Sequence, residues 1–215
     1  MVKTTNGTDN DAPATAGPRT EATAAVVIGC GLTGLAVASE LSRHGLHPIV
    51  LNGLRRDTEP APGPVPDALS LPERTELLRL LHGYAAGHSL DIRRSTPAEE
   101  VGLLHGSGNF SVPHAPQPGM KWAVRTRHGI LLADTVVLAG CGQPALVKLI
   151  RTLGFAAGAE LRNALRSVGL YVVGAGEVLT APTRELLRQA KRAGREIAAR
   201  EAALDGASGV RAGTA

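Results

Sequence analysis

Gly29-Cys30-Gly31-Leu32-Thr33-Gly34 sets three glycines at the spacing G-x-G-x-x-G. The hexapeptide follows the apolar run Ala24 to Ile28 and opens a segment, Leu32 to His44, in which Leu35, Ala38 and Leu41 share a helical face. In that setting the pattern has a physical meaning. The first glycine permits a tight turn out of a strand, the second lets a pyrophosphate approach the backbone, and the third lets the helix pack on the strand. Backbone N–H groups at the helix start then face the phosphate, and the helix dipole adds to the attraction. Gly29, Gly31, Leu32, Thr33 and Gly34 are therefore candidate phosphate-binding residues. The competing explanation is a glycine-rich α/β turn that binds nothing.

A fold of this kind that holds an adenosine ribose expects Asp or Glu at the tip of its second strand. Pro48 to Leu51 reads as that strand, and Asn52 ends it. An amide carries no charge, and replacing a charged acceptor by a neutral one costs on the order of 1–2 kcal/mol. Binding is expected to weaken rather than vanish. Asn52, Gly53 and Arg55 are candidate contacts at this tip. A neutral strand end near Arg55 and Arg56 also suits the 2′-phosphate of NADP. That alternative stays open, as does simple solvation of both arginines.

The elements that position these residues follow from the pattern along the chain. Ala24 to Ile28 and Pro48 to Leu51 read as buried parallel strands joined through the helix, a right-handed βαβ unit in which Gly45 stops the helix. Asn52 to Pro72 is proline-rich and reads as a surface loop. Glu73 to His88 reads as a helix with Leu77, Leu78, Leu80, Leu81 and Tyr84 available for burial, followed by a short strand at Leu90 to Ile92. Glu99 to Leu104, Asn109 to Val112, Lys121 to Arg127 and Ile130 to Leu132 read as an antiparallel meander, with turns at Gly106-Ser107-Gly108 and His128-Gly129. Thr135 to Ala139 reads as a third parallel strand, Pro144 to Leu153 as a helix, Gly169 to Val173 as a further strand. Pro182 to Ala203 reads as a long amphipathic helix with Leu186, Leu187, Ala190, Ala193 and Ile197 inward. The expected organisation is a disordered tail over 1–22, one α/β domain over 23–204 and a flexible tail over 205–215.

Composition removes several classes of function. The chain of 215 residues is 43% hydrophobic, enough for one substantial domain. Aromatic residues are only 2%, too few to stack single-stranded nucleic acid. The net charge of +4 is spread rather than blocked, so no nucleic-acid partner is expected. No apolar run approaches the length of a membrane span. The N-terminus lacks the apolar core of a signal peptide, and a cytoplasmic location is expected. Two cysteines, Cys30 and Cys141, make no disulfide framework and no C-x-x-C. This fold could bring them close together, yet two small buried side chains explain them as well. The seven histidines do not pair at metal spacings, so no metal site is expected. No catalytic acid or base is identified.

With these residues in view, a second glycine-rich turn gains weight: Gly169-Leu170-Tyr171-Val172-Val173-Gly174-Ala175-Gly176-Glu177. Together the two turns resemble the opening and closing motifs of FAD-dependent oxidoreductases of the two-dinucleotide-binding flavoprotein superfamily. The nearest types are flavin-containing monooxygenases and thioredoxin-reductase-like proteins. The resemblance covers roughly Ala24 to Ala203. Asp134-Thr135-Val136-Val137-Leu138-Ala139-Gly140-Cys141-Gly142 stands where that family has an apolar strand ending in small residues. The resemblance implies a Rossmann-like FAD-binding domain, a parallel sheet with helices and a small antiparallel meander. It implies cofactor contacts at Ala139, Gly140 and Gly176, at Glu177 where the family has Asp for a ribityl hydroxyl, and at Ala98 on the strand that passes the adenine. Relatives carry a nicotinamide-binding domain between the two halves. Here only about 25 residues separate Gly142 from Gly169, against roughly 100 or more for a typical domain, and no second G-x-G-x-x-G occurs. The implied protein is a small FAD-dependent oxidoreductase, monooxygenase-like, acting on a small organic substrate. Its flavin would be reduced by a separate reductase or by NAD(P)H docking transiently. A degenerate relative with a structural or partner-binding role is the alternative, and the oligomeric state is not legible.

Overall fold

β1 (Thr20–Ile28) and β6 (Gly129–Ala139) run parallel and stay in register from Thr20 opposite Ile130 to Ile28 opposite Leu138. Among the described residues they form the spine of a seven-stranded sheet. The computed structural model describes residues 19–55, 71–104, 121–141, 143–155, 160–174 and 183–211. On one side of the spine lie β2 (Ile49–Leu51) and β3 (Asp91–Arg93), both parallel to it. On the other side β6 divides its length. Its first half pairs antiparallel with β5 (Lys121–Thr126), which pairs with β4 (Glu100–Leu104). Its second half pairs parallel with β7 (Leu170–Val173). The expected Rossmann-like α/β architecture, a parallel sheet with a small antiparallel extension, is what forms.

Alternation along the spine explains the layering. Val26 and Ile28 point to one face of the sheet, Ala25 and Val27 to the other, and all four are buried. The first face packs on α3 (Gln143–Thr152), α4 (Leu161–Ser167) and the inward side chains of the meander. Fully buried Trp122 ties these parts together, donating from Nε1 to the Val168 carbonyl at 2.8 Å. The second face carries α1 (Leu32–Arg43) and α5 (Thr183–Arg211). α2 (Leu71–Gly87) packs beside α1. Leu35, Ala38 and Leu41 of α1 are buried as their spacing requires, and Gly45 ends the helix at φ +80°.

Several expectations need correction. β1 begins at Thr20, not Ala24, because β6 continues alongside and supplies partners for residues 20–23. Ile130 to Leu132 and Thr135 to Ala139 are one strand, carried through Asp134 by an ion pair to Lys121 at 2.8 Å. α4 is not legible in the sequence, since only Leu165 of its seven residues is buried. α5 continues to Arg211, past the tail expected from 205. The low helix propensity around Gly206 is overcome by propagation from a packed helix, which costs less than nucleation. Leu80 of α2 is 54% exposed, because α2 offers only one side to its neighbours. The expected strand at 109–112, the turn at 106–108 and the proline-rich loop beyond residue 55 lie outside the described residues.

Trp122→Phe should lower unfolding stability by about 1–3 kcal/mol, since it strands the buried Val168 carbonyl without a donor. Urea denaturation followed by far-ultraviolet circular dichroism measures this. A change below about 0.5 kcal/mol would show that the Trp122 bridge does not hold α4 to the meander.

Candidate functional site

The C-terminal tips of β1, β2, β6 and β7 end at one edge of the sheet, and backbone hydrogen bonds join them. Gly29 N–H donates to the Leu51 carbonyl and Gly140 N–H to the Val173 carbonyl, both at 2.9 Å. Open α/β sheets bind ligands at this edge. Here it holds a cavity of about 620 Å³, within the usual range for small-molecule sites.

The three glycines of the first turn do different work. Gly29 lies at φ +126°, and a Cβ there would overlap the Ala139 carbonyl oxygen. Gly34 faces the Gly29 carbonyl so closely that a Cβ would overlap it too. These two are required by packing of backbone on backbone. Gly31 is not. Its φ of −78° is open to any residue, and a Cβ on it would meet nothing within 4 Å. Gly31 is also the N-cap of α1, with no side chain capping the helix. The Leu35 N–H already bonds to the Gly31 carbonyl at 2.9 Å. The first-turn N–H groups of Leu32, Thr33 and Gly34 precede the first intrahelical donor and have no partner within the helix. A bare backbone with such donors at a cavity wall is a cradle for an anion. This geometry fits the phosphates of a dinucleotide.

The second tip behaves less as expected. Asn52 and Gly53 line the cavity, but Asn52 Oδ1 accepts from Cys30 Sγ at 3.2 Å. Arg55 does not line the cavity. Its guanidinium pairs with Glu99 at 2.7 Å. Ala98 is fully buried in the core, and its backbone is held on both sides: its N–H donates to the Gly53 carbonyl and its carbonyl accepts from the Arg55 N–H, each at 2.7 Å. Its neighbour Pro97 reaches the cavity instead. At the β6 tip, Ala139, Gly140 and Cys141 all line the cavity. Gly176 and Glu177, like Arg56, lie outside the described residues.

The structure also brings up residues that the sequence did not point to. Arg74, Thr75 and Leu78 from the start of α2, Gly174 after β7 and Leu186 of α5 complete the wall. The α2 residues were unreadable as site residues because nothing local says which helix end meets the glycine turn. Both cysteines line this one cavity, each half-buried and unbridged. Burial pushes the Cys141 thiol above its ordinary pKa, which keeps it protonated near neutral pH. Among the described residues no group of three or more His, Cys, Asp or Glu could hold a metal ion. No described helix is long and apolar enough to cross a membrane.

No family model matches the sequence, and no curated protein matches it. Among solved structures, THI4 of Thermovibrio ammonificans is similar over 83% of this chain and 90% of that one, at 16% identity and a TM-score of 0.52. A thioredoxin reductase from Gloeobacter violaceus matches at 22% identity over 55% of this chain, with a TM-score of 0.33. A flavin-containing monooxygenase from Stenotrophomonas maltophilia matches at 23% identity over 57%, with a TM-score of 0.35. The chain spans only 34% of that reductase and 39% of that monooxygenase. What the THI4 likeness shows is a shared Rossmann-like fold.

Two substitutions separate packing from binding. Gly34→Ala should destabilise the fold by about 1–3 kcal/mol or more, because the Gly29 carbonyl it would strike is backbone and cannot swing aside. Gly31→Ser should leave stability within about 0.5 kcal/mol, since serine is a good N-cap. Its hydroxyl would occupy the same first-turn donors, so ADP affinity should fall. Calorimetric titration with ADP beside urea denaturation reads both; undiminished ADP affinity in Gly31→Ser would remove the phosphate from this turn.

Proposed function

We propose that this chain is an FAD-dependent oxidoreductase whose cofactor lies across the strand tips, with its pyrophosphate on the N-terminus of α1. The observation that carries the reading is Gly31, which neither backbone conformation nor packing requires and which bares uncapped N–H groups to the cavity. The Leu32, Thr33 and Gly34 N–H groups receive the pyrophosphate oxygens, and Asn52 with Gly53 receives the adenosine ribose through a neutral amide. Ala139 and Gly140 keep the β6 tip small, so that the bound group can lie close to the backbone. Bound FAD would supply the redox chemistry, and the protein's share would be orientation and electrostatics. The proposal extends to a monooxygenase-like reaction on a small organic molecule in the cytoplasm. Electrons come from a separate reductase or from transiently docked NAD(P)H.

A second reading has one observation in its favour. Asn52 carries no charge, and its acceptor atom is already engaged by the Cys30 thiol. A degenerate relative, binding nucleotide weakly and serving as a structural or partner-binding protein, would have no need of a free acceptor there. The NADP alternative is weakened at Arg55, which pairs with Glu99 away from the cavity wall.

The absorbance spectrum of purified protein tests the choice. A flavin band that survives gel filtration, or appears after incubation with FAD, is the expected result. Protein that stays colourless with excess FAD favours the degenerate relative. Arg55→Ala should leave flavin retention unchanged, whereas selective thermal stabilisation by NADP that disappears in Arg55→Ala would replace the FAD reading by the NADP one.

A further inference from the structure

A second concavity, of about 330 Å³, lies in the helix layer and shares no described lining residue with the cavity at the strand tips. α1 packs on both α2 and α5, and all three helices line it. α5 approaches α1 so closely that a Cβ on Gly194 would stand 2.8 Å from the Glu40 Cβ. Ala36 and Ser39 of α1 are small and buried, and they form a floor between Leu80 and Tyr84 of α2 and Leu187 and Ala190 of α5. Leu80 is more than half exposed on the rim. The Ser39 hydroxyl has no hydrogen-bond partner among the described residues. The groove is thus largely apolar and open along its length.

Its α5 flank carries a charge pattern. Arg184, Arg188, Lys191 and Arg195 recur at i, i+4, i+7 and i+11, so they share one face of the helix, and all four are exposed. Lys191 also lines the groove, which sets this face along its edge. Only Arg188 of the four has an ion pair among the described residues, with Glu185 at 3.2 Å. Arg192, one position off the stripe, is taken up by Glu196 at 2.8 Å. Within the groove the described carboxylate is Glu40, and Arg43 pairs with it at 3.5 Å while lying over the Tyr84 ring. The stripe is therefore a row of positive charge with little opposite charge of its own, spanning roughly 16 Å at 1.5 Å per residue.

We propose that this groove is a docking surface for an acidic amphipathic helix of a partner protein. The apolar ridge of that helix enters between α2 and α5 over Ala36 and Ser39, and its carboxylates meet Arg184, Lys191 and Arg195. Charge complementarity selects the sign of the partner and speeds its encounter. The length of the stripe matches about three helical turns, which is more than a single anionic head group would span. The floor is recessed between its walls, a shape that receives a ridge of side chains, whereas a membrane surface calls for an apolar face that projects. The proposal is independent of the nucleotide-binding reading, because no residue of the strand-tip cavity takes part in it.

The test is fluorescence anisotropy of a labelled synthetic peptide titrated with the full chain, without added nucleotide. The peptide has about fifteen residues, with leucines at i, i+3, i+4 and i+7 and glutamates and alanines elsewhere. Its companion carries glutamine in place of every glutamate. Circular dichroism checks that each protein variant is folded. The acidic peptide should bind, more weakly as salt rises, and the glutamine peptide should bind at least several-fold less well. Lys191→Glu/Arg195→Glu should weaken binding on the order of tenfold. Leu80→Gln, at an exposed position, should weaken it about threefold or more. Arg151→Glu/Arg162→Glu makes the same charge change on exposed residues of α3 and α4, across the sheet, and should leave binding within about twofold. Equal loss in that control, equal binding of the glutamine peptide, or no binding of the acidic peptide overturns the proposal. Phosphatidylserine vesicles that bind the chain through Lys191 and Arg195 while the peptide does not also overturn it, by giving the face to a membrane. Self-association that Leu80→Gln abolishes, with no peptide bound, overturns it in favour of a second copy of this chain.

Discussion

Backbone wedged against backbone at the tip of β1 fixes the rest of the site. Gly34 of α1 presses on the Gly29 carbonyl, and Gly29 presses on the Ala139 carbonyl at the end of β6. None of these contacts has a side chain that could swing aside, so the positions of β1, α1 and β6 are set together. A fourth element joins through Gly174, where a Cβ would stand 3.1 Å from the Thr33 side chain. Because α1 packs on both α2 and α5, the orientation of the whole helix layer depends on this wedge. The cavity is the space left beyond it.

Gly31 stands apart from that logic. Serine at this extended N-cap position would satisfy an α1 donor from within the chain, yet the helix begins uncapped. Chains that need only a helix there have an inexpensive way to finish it. An unfinished N-terminus that faces a cavity keeps its donors available to an outside acceptor. Stability and binding thus ask for different residues at 31 and for the same residue at 29 and 34.

The βαβ unit was legible because short-range pattern and long-range packing agree there. Leu35, Ala38 and Leu41 repeat at helical spacing, and the flanking strands are buried on both faces. Legibility failed where partners far along the chain decide. β6 looked like two strands because Asp134 interrupts its apolar run, and only Lys121 and the uninterrupted β1 ladder make it one. Arg55 looked like a ligand contact until Glu99, 44 positions away, claimed it. Ala98 was placed near the adenine by resemblance, but the Gly53 and Arg55 backbone hold it in the core. Arg74 had no sequence signal, since its place in the cavity wall is a property of helix packing.

The described residues of this wall offer little acid–base chemistry of their own. Cys141 is kept protonated by burial, and a protonated thiol is a poor nucleophile. The Cys30 thiol is turned toward Asn52. The remaining described wall residues are glycines, aliphatic side chains, Pro97, two threonines, Asn52 and Arg74. None of them is a general acid or base tuned near neutral pH. What such a wall does well is hold a polyanion by its backbone and leave its other end exposed. Glycines cost a binding site little room, and N–H groups fixed by the β1 wedge need little reorganisation when an anion arrives. On the proposed reading, such a scaffold would position a reactive group rather than supply one, and the residues choosing its reaction would be those at the far end of the bound molecule.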